Sequence, residues 1–113
     1  MSYDPQPGEI WLVKFEPNIG SEIDKVRPAV VVSVPGFTTL PLRIVVPIRG
    51  KINDVAWFIP LKPTSHNNLS KESEVDASQV HAFDLHRFLR KTGSISDLQL
   101  DEVRDAIALC IGL

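Results

Sequence analysis

The apolar run Ile10 to Val13, with Glu9 before it and Lys14 and Phe15 after it, predicts a strand that presents Trp11, Val13 and Phe15 on one face and Ile10, Leu12 and Lys14 on the other. Two later runs are longer. Pro28 to Val34 and Leu42 to Ile48 are β-branched and almost uniformly apolar, the pattern of strands covered on both faces, and they are expected at the centre of the fold. Between them Pro35-Gly36 opens a loop that runs through Phe37, Thr38 and Thr39 to Pro41. Trp57 to Leu61 predicts a fourth strand, Pro63 to Asn68 a polar loop, and Glu74 to Val80 a further short strand.

The last third changes period. Asp84 is placed to cap a short helical turn through Leu85, Phe88 and Leu89 that ends before Gly93. Ser96 and Gln99 have the spacing of a capping box, and Leu100, Val103, Ile107 and Cys110 recur at three and four to form one stripe of a second helix. Strands first and helices last predict a mainly β or α+β domain with a helical lid rather than a βαβ fold. The expected organisation is one domain over 1–113, with residues 1–8 an extended arm, 9–82 a barrel and 83–113 a helical C-terminal part. A chain of 113 residues buries one core and has no room for a second.

Composition narrows the setting. The one cysteine, Cys110, excludes an intrachain disulfide, and no charged leader precedes an apolar segment, so a cytoplasmic protein is expected. No apolar run approaches the roughly 20 residues of a membrane span, so no membrane association is expected. A net charge of −2 argues against a uniformly basic nucleic-acid binder. The charge is segregated, however: from 25 to 53 the basic residues are Lys25, Arg27, Arg43, Arg49 and Lys51 with no acid among them. These either form one phosphate-binding face or point apart as ordinary solvated strand ends.

The candidate chemistry centres on Gly20-Ser21-Glu22-Ile23-Asp24-Lys25-Val26-Arg27-Pro28, which carries turn-forming and charged residues straight into an apolar strand. Arg27 at that junction has its backbone fixed by the sheet while its guanidinium offers five donors to a phosphate. Pro28 presets its own φ and steers Arg27 away from the helical region. The plainer role for Arg27 is a strand-edge ion pair with Glu22 or Asp24.

This stretch, with Gly8-Glu9-Ile10-Trp11-Leu12-Val13-Lys14-Phe15-Glu16-Pro17 before it and Arg27-Pro28-Ala29-Val30-Val31-Val32-Ser33 and Val45-Val46-Pro47-Ile48 after it, resembles the MazF/PemK family of toxin–antitoxin ribonucleases. Asp76-Ala77-Ser78-Gln79-Val80, Asp84, Arg87 and Gly93 resemble the family's second half. The resemblance implies an SH3-like small barrel of the CcdB/PemK superfamily with a C-terminal helix, a homodimer, and a toxin that cuts single-stranded RNA. It also implies a cognate antitoxin of the MazE kind, whose acidic C-terminal segment inhibits it.

Metal-free RNA cleavage requires an activated 2′-hydroxyl, charge stabilisation at phosphorus and help for the leaving oxygen. Arg27 suits the second task. The family pairs this arginine with a Thr or Ser after the Val-Val-Pro-Ile strand, where this chain has Arg49 and then Gly50. A long cation strengthens phosphate attraction but does not reproduce a close hydroxyl contact. Glu22 is the candidate general base or, equally, the salt partner that orients Arg27. Ser21 either donates to a phosphate or shapes the turn after Gly20. With Lys25, Gly50 and Lys51, the resemblance extends the RNA-binding set to Asp76 and Gln79, whose plain roles are a turn residue and a strand-edge donor.

Among aromatics, Phe37 in its loop is the candidate base-stacking residue, whereas Trp11 and Trp57 fall in predicted strands and are expected in the core. His66, His81 and His86 lie outside the family's motif and fit no compact zinc spacing, so no metal and no cofactor are expected. Two other readings fit the same scaffold. One is a non-cleaving growth inhibitor that binds a protein such as DNA gyrase, favoured by Arg49; the other is an inactivated relative that still binds RNA or an antitoxin.

Overall fold

The computed structural model describes residues 4–15, 26–50, 53 and 55–113. Among these described residues seven strands are followed by one helix: β1 (Glu9–Lys14), β2 (Val26–Val31), β3 (Leu42–Arg49), β4 (Phe58–Leu61), β5 (Ser73–Asp76), β6 (His81–Asp84), β7 (Phe88–Ser94) and α1 (Asp97–Cys110). A 3-10 turn, Leu85–Arg87, joins β6 to β7. These strands pair antiparallel, in the order β4-β5-β3-β2-β1-β7, with β6 also on β3.

β3 is the spine. Its first half, Leu42 to Val45, pairs with β6, and its last two residues, Ile48 and Arg49, pair with β5, while β2 holds its other edge. Strands β6-β3-β2-β1-β7 therefore curl into an SH3-like barrel around Trp11, Val13, Ala29, Val31, Val45, Phe83 and Phe88. The alternate residues of the same strands, Ile10, Val30, Val46 and Ile48, form a second core outside the barrel wall. Leu61, Val75, Ile95, Leu100 and Val103 from β4, β5 and α1 cover it. This is why β2 and β3 are apolar at nearly every position: each side of the pleat faces a different core.

Helix α1 starts as its sequence dictates. Ser96 Oγ accepts from Gln99 N, and the Gln99 side chain returns a bond to Ser96 N. Arg104 fastens the helix to the barrel by donating from Nε and Nη2 to the Val32 carbonyl at 3.1 and 3.0 Å. The expected stripe packs on the core at Leu100, Val103 and Ile107, joined by the buried Ala106, whereas Cys110 at the last turn is exposed. No helix of the described residues is long and apolar enough to cross a membrane.

Two boundaries differ from the sequence expectation. Residues 83–113 are not a helical part, because Phe88–Ser94 is the strand that closes the barrel against β1, and the helical turn after Asp84 is limited to Leu85–Arg87. Register shifts between Ile10 and Trp11 and between Leu12 and Val13 hid the strand's period. The described residues of the N-terminal arm are docked: Gly8 N donates to Val31 O, Gly8 O accepts from Ile95 N, and Arg43 Nε donates to Pro5 O.

Gly93 is fixed by space. A Cβ there would stand 2.6 Å from the carbonyl oxygens of both His66 and Asn67, in the loop that Asn67 organises through bonds to Thr64, Leu69 and Lys62. Gly93→Ala is expected to destabilise the fold by about 1–3 kcal/mol, the usual cost of overpacking; a urea midpoint equal to that of the parent would show that the loop yields freely.

Glu9 ties β1 to the arm and to β7. Burial raises its pKa, but the Gln6 N–H, Trp11 Nε1–H and the Lys91 ammonium at 3.0 Å outweigh burial and hold the carboxyl below its ordinary 4.5. A depressed folded pKa contributes stability above the unfolded value that is lost as pH falls through the folded one. Glu9→Gln should therefore lag the parent most at neutral pH, with the gap closing below pH 4.5. A gap that stays constant in urea titrations from pH 7 to pH 3 would assign the loss to packing instead.

Candidate nucleic-acid interface

The pairing of β2 with β3 places the candidate residues. Ala29 lies opposite Pro47 and Val31 opposite Val45, so Arg27, two residues before Ala29, comes level with Arg49 at the same end of the ladder. Arg27 is inside β2 and not only at its margin, paired to Val13 of β1. Arg27, Ile48, Arg49, Gly50 and Gln79 line an open cleft of about 450 Å³. Arg27 is half-buried, and among the described residues its guanidinium has no hydrogen-bond or ion-pair partner.

Arg49 is held quite differently. Its Nη1 is 3.5 Å from Asp76 Oδ2 and its Nε 3.9 Å from Glu74 Oε2, and the guanidinium lies over the Phe58 ring at 5.6 Å. Glu74 and Asp76 are 1% and 2% exposed, so both depend on protein partners for their charge. Asp76 accepts from Ser78 N, Ser78 Oγ and Gln79 Nε2 at 3.0, 2.6 and 2.9 Å. Glu74 accepts from Asn53 N and Asn53 Nδ2, both at 2.7 Å, and so holds Asn53, between β3 and β4 in the chain, against β5. Asp76 is both the turn residue and the anchor of Gln79, whose amide it aims at the cleft wall.

The sequence reading pointed to Arg27, Arg49, Gly50, Asp76 and Gln79, and these meet at one place. Ser21, Glu22, Lys25 and Lys51 lie outside the described residues. Phe37 does not join the group: its loop connects the opposite ends of β2 and β3, a ladder's length from Arg27. The basic span is likewise not one face. Arg43 sits at the far end of β3, bonded to Asp4 at 2.6 Å and to Pro5 O.

Trp11 is in the core as expected, but Trp57 is not; it is 40% exposed in the turn before β4, packed edge-on against Phe58 at 6.2 Å. That makes Trp57 the exposed aromatic associated with the Arg49 side of the cleft. Glu74, Asn53 and Phe58 escaped the sequence reading, since a buried glutamate looks like any strand-edge charge until its partners are known.

The histidines make local contacts. His81 stacks on Phe83 at 5.0 Å and bonds Gln79 O through Nδ1, while His86 donates its N–H to Asp84 Oδ1 and places Nδ1 2.6 Å from the same oxygen. The two His86 contacts, with Arg87 nearby, hold the Asp84 carboxyl below its ordinary value.

Comparison with known proteins agrees with this architecture. Residues 6–111 match the family model described as PemK-like, MazF-like toxin of type II toxin–antitoxin system. A relative named Endoribonuclease MazF9, from Mycobacterium tuberculosis, is 32% identical over 112 residues, covering 94% of this chain and 95% of its own. Endoribonuclease MazF of Staphylococcus saprophyticus is 29% identical, covering 94% and 90%. Among solved structures, the MazE–MazF form II of Deinococcus radiodurans superposes with a TM-score of 0.81 at 22% identity, covering 99% of each chain. With the family model spanning nearly the whole sequence and the barrel, capping helix and Arg-Pro strand in place, this chain belongs to the PemK/MazF toxin family of type II toxin–antitoxin systems.

Proposed function

We propose that this chain is the toxin of a type II toxin–antitoxin pair and a metal-independent, sequence-selective endoribonuclease that cleaves single-stranded RNA, typically messenger RNA. The observation that carries the reading is Arg27, held by β2 at the cleft with its donors uncommitted among the described residues. The family membership and the relatives named endoribonucleases support it.

In the reaction proposed, a ribose 2′-hydroxyl attacks the adjacent phosphorus, its proton passing to a general base, and the bond to the 5′-oxygen breaks as that oxygen takes up a proton. Arg27 stabilises the negative charge that develops on the phosphoryl oxygens. Glu22 is the base, or else the partner that orients Arg27; Ser21, Lys25 and Lys51 extend the RNA contacts. Gln79, steadied by Asp76, faces a base or sugar edge from the cleft wall.

We further propose a single domain that acts as a homodimer in the cytoplasm. An antitoxin with an acidic C-terminal segment competes with RNA for the cleft; the solved MazE–MazF complexes of Deinococcus radiodurans, which share this fold, support an antitoxin partner. The second reading, a non-cleaving inhibitor of a protein such as DNA gyrase, has in its favour Arg49 at the position where the family carries Thr or Ser.

Incubating the purified chain with single-stranded RNA in EDTA separates the two. Cleavage should persist and leave 2′,3′-cyclic phosphate ends, and a deoxyribose on the 5′ side of the cut should block it without abolishing binding. Unimpaired cutting of the deoxy substrate would rule out 2′-hydroxyl attack, and intact RNA throughout would leave the non-cleaving reading.

Arg27→Ala is expected to slow cleavage by about 10² to 10³ with the fold intact, the scale for one lost anion stabiliser. A loss below about threefold would reduce Arg27 to a structural residue.

For Arg49→Thr the contacts to two buried carboxylates set the expectation. Stability should fall by about 1–3 kcal/mol, less than for a fully buried pair because the arginine side chain is 36% exposed. Adding Asp76→Asn should recover part of it. If Arg49 has displaced a catalytic hydroxyl, the folded Arg49→Thr variant should also cut faster; a slower one with unchanged affinity would mean that Arg49 acts on the phosphate.

A further inference from the structure

Among the described residues the charges at the cleft nearly cancel. Arg49 meets Glu74 and Asp76, both deeply buried and within 4 Å of it, so with Arg27 the formal sum of these four groups is zero. A site for a polyanion needs an excess of positive charge at its lip, because phosphate contacts supply most of the affinity for a nucleic-acid strand.

A cation outside every motif of the chain is present there. The side chain of Lys71 lies across Gly50: a Cβ added to Gly50 would stand 2.6 Å from Lys71 Cε and 2.8 Å from its Nζ. The φ of Gly50 lies outside the left-handed range, so the conformational freedom of glycine is not what the position requires. What it supplies is room for the lysine.

The Lys71 backbone is anchored next to β5, where the buried Ser73 donates from Oγ to the Lys71 carbonyl at 3.0 Å. Lys71 is exposed and, among the described residues, has no ion-pair partner, in contrast to Arg49 on the other side of Gly50.

We propose that Lys71 is a further phosphate-binding residue of the cleft, supplying the positive charge that Arg49 spends on Glu74 and Asp76, and that Gly50 seats it. The inference rests on the RNA reading above. A phosphate next to the one at Arg27 meets the Lys71 ammonium at the Gly50 rim. The lysine is a compact point charge on a flexible stem, suited to holding a strand without reading its bases.

Binding of a fluorescent 2′-O-methyl RNA of mixed sequence, which cannot undergo 2′-hydroxyl attack, tests this without depending on turnover. Lys71→Met should weaken binding about 3- to 10-fold near 100 mM salt and lower the slope of log affinity against log salt by about 0.7, the value for one phosphate contact on a single strand. Lys71→Arg should keep most of both. Gly50→Ala, which displaces the lysine, should reproduce the loss and add little to Lys71→Met in the double variant. Urea midpoints close to the parent's are expected for both Lys71 variants.

An unchanged slope and affinity in Lys71→Met would overturn the proposal while leaving the RNA reading intact. Fully additive losses from Gly50→Ala and Lys71→Met would overturn the seating role of Gly50. A parent chain that binds no RNA would overturn the RNA reading and the role of Lys71 with it.

Discussion

Everything in this fold depends on β1, β2 and β3 being buried on both faces at once. Inside the barrel wall they meet Phe83 and Phe88; outside it they meet α1 and the β4-β5 pair. A strand trapped between two cores tolerates a charge only where both cores end, and one such end of β2 and β3 is where Arg27 and Arg49 emerge. The cleft is therefore a consequence of where burial stops. Its backbone is fixed by ladder hydrogen bonds on both sides of β2, which places Arg27 on a rigid element, as positioned chemistry requires.

The two arginines show how one residue type takes opposite roles a few ångströms of strand apart. Arg49 faces β5, whose four residues are all buried even though two of them are Glu74 and Asp76. Carboxylates in that environment need partners, and Arg49, Asn53, Ser78 and Gln79 supply them. Arginine at this position thus does not simply add a charge to the cleft. It binds the β3–β4 side of the cleft to β5, and the cation is largely consumed in doing so. Arg27 has no such obligation among the described residues.

Asn53 and Gln79 are the visible products of the same buried pair. Each carboxylate grips one amide side chain, and of the two amides Gln79 lines the cleft. Rigid placement of the rim follows from burying acid groups that must be satisfied, so the stability of β5 and the shape of the cleft are not independent properties.

The first three strands, the capped helix and the Arg-Pro junction were legible in the residues alone. Those signals are local: the apolar run of β1, the β-branched runs of β2 and β3, and Ser96 with Gln99 at the helix start are each set by neighbouring residues. Phe88–Ser94 was misread because two register shifts break its match to β1, so its strand character rests on pairing with a segment some eighty residues earlier. Phe37 and Trp57 exchanged expectations because loop or strand assignment does not say which end of the barrel a residue occupies. Arg43 dropped out of the basic face for the same reason. The roles of Glu74, Asn53 and Lys71 were decided only by the tertiary structure, since a charge acquires its function from the groups that folding brings within a few ångströms, and those come from distant parts of the chain.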